Sequence, residues 1–306
     1  MASLSVTFLG TSSATPTGLR GMPSIMVQRE GDLLLFDCGE GAQRQLLRYG
    51  PGLNRDTAIL VTHLHGDHVT GLLGLLQTMS LAQRTRELTI VGPSDLSKWL
   101  KLTYEILHIG LTFNVNFVPA KRGVILGRRE YKVRCEEADH SIEAYSYLLE
   151  EKPRPGEFHP ERARALGIPE GRLWSRLQRG RAVLIDGRRV EPGDVVGPSR
   201  PGRKVGYSGD TRPTRRLTKF FSGCDLLVFD STFSTRDRDK AVERKHSTAA
   251  EAAFLAKECG AKMLVLTHFS ARYKTVSQLV REARSIFPNT LAARDGLRIE
   301  VGYSVS

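Results

Sequence analysis

The sequence has few cysteines, and their positions exclude a disulfide framework. The 306-residue chain has four cysteines, Cys38, Cys135, Cys224 and Cys259, and no two of them form a CxxC pair. Small secreted domains carry closely spaced cysteines that form disulfides, and thiolate zinc sites carry them in pairs. The sequence therefore predicts reduced cysteines and a cytoplasmic protein.

Long apolar runs are also missing. No segment approaches the roughly 20 consecutive apolar residues that span a bilayer. The first ten residues, MASLSVTFLG, lack the basic stretch and long apolar stretch of a secretion signal. Because 40% of the residues are hydrophobic and 25% are charged, the composition is typical of a globular protein that can bury a large core. These features predict a protein without membrane contact.

Acidic residues are outnumbered by basic ones, 33 against 45, and the net charge is +12. Such a charge favours an anionic partner, usually nucleic acid, over the alternative of a basic surface without a partner. The excess is concentrated in residues 152–204, which carry 13 Lys and Arg against 6 Asp and Glu. This segment is rich in proline and glycine, and it predicts an inserted flexible arm, either one that binds phosphates or one that is only solvated. The candidate RNA-binding residues are Arg154, Arg172, Arg176, Arg179 and Arg181 in the arm, and Arg20 in a flexible basic loop near the N-terminus.

Polar residues are crowded at one point, residues 62–68, which read THLHGDH. The apolar residues 57–61 before them predict a buried strand, and the Leu-rich residues 69–82 after them predict a helix. Three histidines and an aspartate therefore lie on the loop between a strand and a helix, where side chains can converge on an open site. Imidazole with some carboxylate suits zinc, and also manganese, iron or cobalt. The alternative is a polar loop whose histidines are only solvated.

Spacing gives these side chains a direction. His63 and His65 are two residues apart, so in an extended segment they point the same way and can bind one ion. Asp67 and His68 follow the turn at Gly66 and can bind a second ion. Asp67 is also placed to hold an attacking hydroxide and take its proton, so we predict it as catalytic.

Further candidate ligands follow other predicted strands. His140 follows a strand and supplies the imidazole that the first ion lacks. Asp210 follows a strand at Ser208-Gly209, where a carboxylate can bridge two cations, and His268 follows another strand and completes the second ion. His246 opens a predicted helix over residues 249–259, capped by Ser247 or Thr248, and it either donates a proton to a leaving group or packs against its neighbours.

Asp37 follows a further predicted strand and has two interpretations from the sequence alone. Its carboxylate either orients a metal-bound histidine from behind or caps a neighbouring segment.

The whole series of motifs resembles the ribonuclease Z family of the metallo-β-lactamase superfamily. The motifs are FLGT (8–11), DCGEGAQ (37–43), THLHGDH (62–68), ADHS (138–141), SGDT (208–211), KHST (245–248) and THFSARY (267–273), which span nearly the whole chain in order. The resemblance implies an α/β fold, an αββα sandwich, as a single domain over residues 1–306 with an inserted exosite arm that grips tRNA. It implies two zinc ions per subunit, with manganese or another divalent metal as the alternative. It also implies a homodimer in which one subunit's arm serves the partner's active site.

The activity that the resemblance implies is the removal of the 3′ trailer from precursor tRNA. The cut leaves a 3′-hydroxyl on the tRNA and a 5′-phosphate on the trailer, and His246 is the proton donor. Two departures concern specificity: the family's PxKxRN loop reads PTGLRG at residues 16–21, and its usual Gly-Pro of the arm reads Gly171-Arg172. Whether ends that already carry CCA are rejected therefore stays open.

Other activities use a similar site. A glyoxalase-like thioesterase needs no long cationic surface, and a flavodiiron module needs a glutamate where this chain has His65. A non-catalytic nucleic-acid-binding subunit tends to lose ligands, whereas the set here is complete. A small-molecule phosphodiesterase remains an alternative that the ligands alone do not separate from a nuclease.

Overall fold

The computed structural model describes residues 2–303, which divide into two compact units. The larger unit contains the residues up to 128, residues 132–150 and the residues from 203 onward. The smaller unit contains residues 129–131 and 151–202, and so overlaps the segment predicted as an inserted arm.

The first sheet of the larger unit has seven strands, four of them parallel. Its central strands are buried on both faces, as their continuous apolar sequences require. The order is β18 (Arg298–Glu300), β1 (Leu4–Gly10), β3 (Ser24–Arg29), β4 (Asp32–Phe36), β5 (Asp56–Leu60), β6 (Leu88–Gly92) and β7 (Val115–Pro119). Because β4 to β7 are parallel, their carboxyl ends lie along one edge of the sheet.

The second sheet also has seven strands and packs face to face on the first. The Phe36 ring lies 5.9 Å from the Tyr147 ring and 5.7 Å from the Tyr207 ring of the other sheet. The sequence did not predict β8, a short strand bounded by two glycines. The order is β17 (Thr290–Ala292), β15 (Leu264–Thr267), β14 (Leu226–Asp230), β13 (Lys204–Tyr207), β10 (Tyr145–Glu151), β9 (Tyr131–Glu137) and β8 (Gly123–Gly127).

Helices cover the outer faces of both sheets. On the first sheet, α1, α3 and α4 bury Leu46, Leu75 and Leu96 against strand residues such as Ile59. On the second sheet, α10 packs on β14 and β15, and α11 packs on β17. The predicted αββα sandwich is therefore confirmed. The helices are α1 (Ala42–Tyr49), α2 (Gly66–Val69), α3 (Gly71–Leu81), α4 (Ser94–Ile106), α8 (Arg215–Phe220), α9 (Arg238–Glu243), α10 (Ala249–Glu258) and α11 (Ser277–Arg284).

The smaller unit has a small apolar core of its own. Trp174 packs on Phe158, with 5.0 Å between ring centroids, and donates a hydrogen bond to the carbonyl of Ile168. The buried core side chains are Ala163, Ile168, Leu177, Val183, Val190 and Val195. The elements around them are α5 (Pro160–Ala165), α6 (Arg172–Gln178), β11 (Val183–Ile185), β12 (Arg188–Val190) and α7 (Pro192–Val195).

Across residues 2–303, every helix is too short or too polar to cross a bilayer.

Candidate metal centre

The candidate site lies where parallel strands of both sheets end. The loop after β5 and the first turn of α2 carry residues 62–68, and the loops after β13 and β15 carry Asp210 and His268. Gly209 allows the loop after β13 to lie close to Thr62, because its φ is +58° and a Cβ there would lie 2.8 Å from the Thr62 side chain. The backbone is also strained at His268, whose φ is +62°. Together with His140, which follows β9, these segments bring all seven predicted ligands close to one another.

One group of four side chains surrounds the first position. His63 Nε2 lies 3.1 Å from His65 Nδ1, and His140 Nε2 lies 3.2 Å from that same His65 nitrogen. Asp210 Oδ2 completes the group at 3.6 Å from His63 Nε2. Three imidazole nitrogens and one carboxylate oxygen therefore face a common point.

A second group shares Asp210. His68 Nε2 lies 3.3 Å from His268 Nε2 and 3.3 Å from Asp210 Oδ2, and Asp210 Oδ1 lies 3.3 Å from His268 Nε2. Asp67 Oδ2 lies 3.6 Å from His68 Nε2 and 3.5 Å from His268 Nε2. Asp210 thus presents one oxygen to the first group and both of its oxygens to the second.

Asp37 orients His68 from behind. Its buried Oδ2 accepts hydrogen bonds from His68 Nδ1 at 2.8 Å and from the Tyr207 hydroxyl at 2.7 Å. The Thr62 amide and hydroxyl also donate to Asp37, and the Thr62 hydroxyl oxygen lies 2.9 Å from His63 Nδ1. The Nδ1 protons of His63 and His68 are therefore engaged, and their Nε2 lone pairs point into the site. Of the two sequence interpretations of Asp37, the structure selects the one in which it orients a histidine.

The histidines from the second sheet are fixed in the same way. His140 Nδ1 donates to the carbonyl of Lys245 at 3.0 Å, and His268 Nδ1 lies 2.9 Å from the Thr232 hydroxyl oxygen. That hydroxyl donates in turn to Asp230 at 2.6 Å, so it accepts the proton from His268. Both Nε2 atoms therefore face the cleft as lone pairs.

This donor set fits divalent cations. Zinc–nitrogen bonds of about 2.0–2.1 Å at tetrahedral angles separate two ligand atoms by about 3.3–3.4 Å. Neighbouring ligand atoms in the two groups are separated by 3.1–3.6 Å, close to that spacing, and the ligand atoms of the first group all lie within 4.8 Å of one another. Asp210 Oδ1 is buried without a hydrogen bond from any residue in the range 2–303. The imidazole nitrogens and carboxylate oxygens of the two groups point their lone pairs at one another, and these lone pairs repel unless a cation lies between them. Since buried polar atoms are normally paired, the site is built to hold positive charge.

The pKa shifts of three of the ligand histidines agree with that assignment. Burial lowers the pKa values of His63, His65 and His140, so these imidazoles are neutral, the form that binds metal. For His68, burial acts in the same direction, but the carboxylates of Asp210 and Asp37 outweigh it and raise the pKa well above its usual value. A cation held by Asp210 would supply the positive charge that these carboxylates favour.

His246 lies beside the ligands with its own carboxylate. Its Nδ1 is 2.9 Å from Asp230 Oδ2, and this charge together with that of Asp210 outweighs burial and raises the pKa of His246 to about 9. Sequence reasoning missed Asp230, although it follows a buried strand in the same way as Asp210. Its carboxylate also lies near Asp210, His246 and His268, and the four side chains are all of types that can bind a metal. The amides of Thr211, Thr232 and Ser247 already donate to Asp230, so it positions His246 rather than facing the cleft.

Asp67 is held by a neighbouring loop. Its Oδ2 accepts a hydrogen bond from the Ala14 amide at 2.9 Å. Burial would raise the pKa of the Asp67 carboxyl, but the neighbouring imidazoles of His268 and His68 hold it well below its usual range. Asp67 is thus an ionised carboxylate at the wall of a cleft of about 520 Å³.

The candidate RNA-binding arginines fall in both units. Arg20 lies in the larger unit, over the Phe269 ring at 5.4 Å, and donates to the carbonyl of Tyr273 at 3.3 Å. Arg154 lies in the smaller unit and is half-buried. The remaining four are exposed on or just after α6, namely Arg172, Arg176, Arg179 and Arg181.

Comparison with known proteins gives relatives along the whole chain. The chain is 47% identical to ribonuclease Z of Nitrosopumilus maritimus over 97% of its own length and 100% of that protein. It is 44% identical to ribonuclease Z of Myxococcus xanthus over 98% and 99% of the two chains. Among solved structures, human tRNase Z, short form, superposes with a TM-score of 0.70 at 28% identity, covering 97% of this chain and 99% of that one.

Family models match two separate parts of the chain. The model for the anti-Pycsar protein Apyc1 matches residues 4–144, and the model for a β-lactamase superfamily domain matches residues 176–269. The metallo-β-lactamase fold protein YhfI from Bacillus subtilis shares the fold at a TM-score of 0.71 and 20% identity, over 98% of this chain and 100% of that one. This fold implies dependence on a divalent metal. The chain belongs to the ribonuclease Z family, hydrolytic endoribonucleases of the metallo-β-lactamase superfamily.

Proposed function

We propose that the protein is a zinc-dependent endoribonuclease that removes the 3′ trailer from precursor tRNA, with products carrying a 3′-hydroxyl on the tRNA and a 5′-phosphate on the trailer. The observation that carries the proposal is the spacing of the seven ligands, which suits two cations bridged by Asp210. The full-length relatives named ribonuclease Z support the choice of substrate.

The ligands divide between the two ions by their grouping. His63, His65 and His140 would hold one zinc ion, and Asp67, His68 and His268 the other, with Asp210 near both groups. When bound, such ions lower the pKa of a water molecule and offset the negative charge that develops on an attacked phosphate. Manganese or another divalent metal is the alternative to zinc.

The chain's own residues move the protons. The oxygen of a water attacks the phosphorus of the scissile diester, and Asp67 accepts one of that water's protons. The bond from phosphorus to the 3′ oxygen of the last retained nucleotide breaks, and the electron pair stays with that oxygen. His246, protonated and held through Nδ1 by Asp230, gives it a proton. The result is a 3′-hydroxyl on one product and a 5′-phosphate on the other.

The basic smaller unit is proposed to grip the body of the tRNA. Its exposed arginines offer forked donors for phosphates, and binding of this kind weakens as salt rises. We extend the proposal to a homodimer in the cytoplasm, on the basis of the family resemblance. The four buried free thiols fit a reducing compartment.

Incubation with two precursor tRNAs, one with and one without an encoded CCA, tests the proposal. Mapping both new ends should give a single cut at the base of the trailer, with the predicted end groups. Asp210→Asn should lose this activity, whereas Asp56→Asn, which changes an exposed carboxylate at the start of β5, should retain it. Hydrolysis of bis(p-nitrophenyl) phosphate without any cut in either RNA would favour a small-molecule phosphodiesterase and contradict the proposal.

A further inference from the structure

A second cleft adjoins the metal cleft. It has a volume of about 300 Å³, at the lower end of the range of small-ligand pockets. The two clefts share Ser13, Ala14, Arg244 and His246 as lining residues. The two-residue strands β2 (Ser12–Ser13) and β16 (Phe269–Ser270) pair along one wall of the second cleft.

Arg272 forms a fixed planar wall of this second cleft. Its guanidinium lies 4.9 Å from the centroid of the Phe233 ring. Arg272 Nε donates to Ser270 Oγ at 3.1 Å, and Nη1 donates to Asp237 Oδ1 at 3.3 Å. About a third of the side chain, 32%, stays exposed. A guanidinium held in this way offers its free face for stacking with a nucleobase.

Arg244 is a cation with no counter-ion among the residues that the structure describes. It follows α9, is exposed, and within residues 2–303 it forms no ion pair and no side-chain hydrogen bond. Its neighbours in sequence differ: Lys245 Nζ pairs with Asp139 at 3.0 Å, and Lys240 Nζ pairs with Asp237 at 2.8 Å. An unpaired guanidinium at the junction of two clefts is available to an anionic ligand.

The position of His246 sets the direction of the RNA. The group that protonates the leaving 3′ oxygen must contact the nucleoside that carries this oxygen. Because His246 lines both clefts, a scissile phosphate in the metal cleft places that nucleoside on the His246 side, toward the second cleft. The next anionic group in this direction is the phosphate on the 5′ side of the same nucleoside.

We propose that the second cleft binds the last retained nucleotide of the RNA, with its base on the free face of Arg272 and its 5′ phosphate on Arg244. This inference rests on the proposed function for the direction of the cut. It assigns the cleft to a ribonucleotide with an intact 5′ phosphate and makes Arg244 a substrate-binding residue.

A chemical cycle on a precursor tRNA tests the contact. A single methylphosphonate at the phosphate 5′ of the last retained nucleotide removes its charge, and Arg244→Ala removes the partner. Each change alone should lower kcat/KM about tenfold, as expected for one charge-assisted hydrogen bond at an exposed site. Both changes together should lower it no further than either one, because they remove the same contact. Arg244→Lys should restore part of the loss.

Arg236→Ala is the matched control, since it removes an exposed arginine nearby that lines neither cleft. Arg236→Ala should cleave the unmodified precursor tRNA and the methylphosphonate precursor tRNA with the same kcat/KM values as the wild type. Additive losses in the cycle, or a loss in Arg236→Ala equal to that in Arg244→Ala, would overturn the assignment.

A second experiment tests the inference if precursor tRNA is not cleaved. The dinucleotide ApA and its uncharged methylphosphonate counterpart serve as inhibitors of bis(p-nitrophenyl) phosphate hydrolysis. The charged dinucleotide should inhibit the wild type about tenfold better than the uncharged one, and Arg244→Ala should remove this preference. Equal preference in the two proteins would show that the phosphate binds elsewhere, and the assignment of Arg244 would be wrong.

Discussion

The role of Asp37 can be tested by replacing one oxygen of its carboxylate with an amide nitrogen. Its carboxylate is completely buried at the base of the metal centre, and Oδ2 accepts from His68 and Tyr207 while Oδ1 accepts from the Thr62 amide. Asp37→Asn keeps the shape but replaces one acceptor oxygen with an NH2 group. With the NH2 group in the place of Oδ1, the Thr62 amide faces a donor; with it in the place of Oδ2, His68 faces a donor in the tautomer that leaves Nε2 free for a metal.

The expected effect has two parts. Leaving one buried donor unpaired costs about 1–3 kcal/mol, so the free energy of unfolding of the metal-free protein should fall by about that amount. Loss of the carboxylate behind a ligating histidine typically weakens metal binding 10–100-fold. Because Asp37 contacts His68, the loss should fall on the site that contains His68, and the site of His63, His65 and His140 should change less.

Two measurements check this prediction: urea unfolding of the metal-free protein, and zinc titration in competition with a chelating dye. Tyr207→Phe is the control, because it removes one donor to Oδ2 and leaves the contact with His68 in place. Tyr207→Phe should lower the free energy of unfolding by about 1 kcal/mol. It should weaken zinc binding less than Asp37→Asn does. Two zinc ions bound with wild-type affinity by Asp37→Asn would refute the idea that this carboxylate orients His68.

Three other outcomes follow from the structure. Asp67→Ala should abolish cleavage without unfolding the protein by circular dichroism, and retained turnover would contradict its role as proton acceptor. His246→Ala should slow precursor tRNA cleavage much more than hydrolysis of bis(p-nitrophenyl) phosphate, whose p-nitrophenolate needs no proton; equal losses would remove the proton-donor assignment. Arg172, Arg176, Arg179 and Arg181 are exposed in the smaller unit, and their joint replacement with alanine should make tRNA affinity less dependent on salt. The slope of log affinity against log salt concentration should fall by the equivalent of up to about four phosphate contacts, and an unchanged slope would contradict the proposed grip.

The sequence carried most of the information about the cleft, for a local reason. His63 and Asp210 each lie three residues beyond the end of a short parallel strand, and parallel strands end at a common edge. Position after a strand could therefore be read without knowing the fold. The metal role of these residues stays a proposal, but the structure does bring all seven side chains together.

What the sequence could not provide are contacts between residues distant along the chain. Nothing in the spacing relates the Ala14 amide to Asp67, or Asp230 to His246, because the loops that carry them, 53 and 16 residues apart in sequence, meet only in the folded chain. The cap of α10 shows the same limit. Both Ser247 and Thr248 were candidates, and Thr248 caps the helix in a reciprocal pair with Glu251, while the Ser247 hydroxyl bonds to a distant carbonyl.

Zinc content tests the central claim most directly. Elemental analysis of the dialysed protein should give about two zinc ions per chain for the wild type. It should give about one for His140→Ala, which removes a ligand of the first group, and about one for His268→Ala, which removes a ligand of the second. A wild-type protein that holds one ion or none under conditions that supply zinc would contradict a two-cation centre bridged by Asp210.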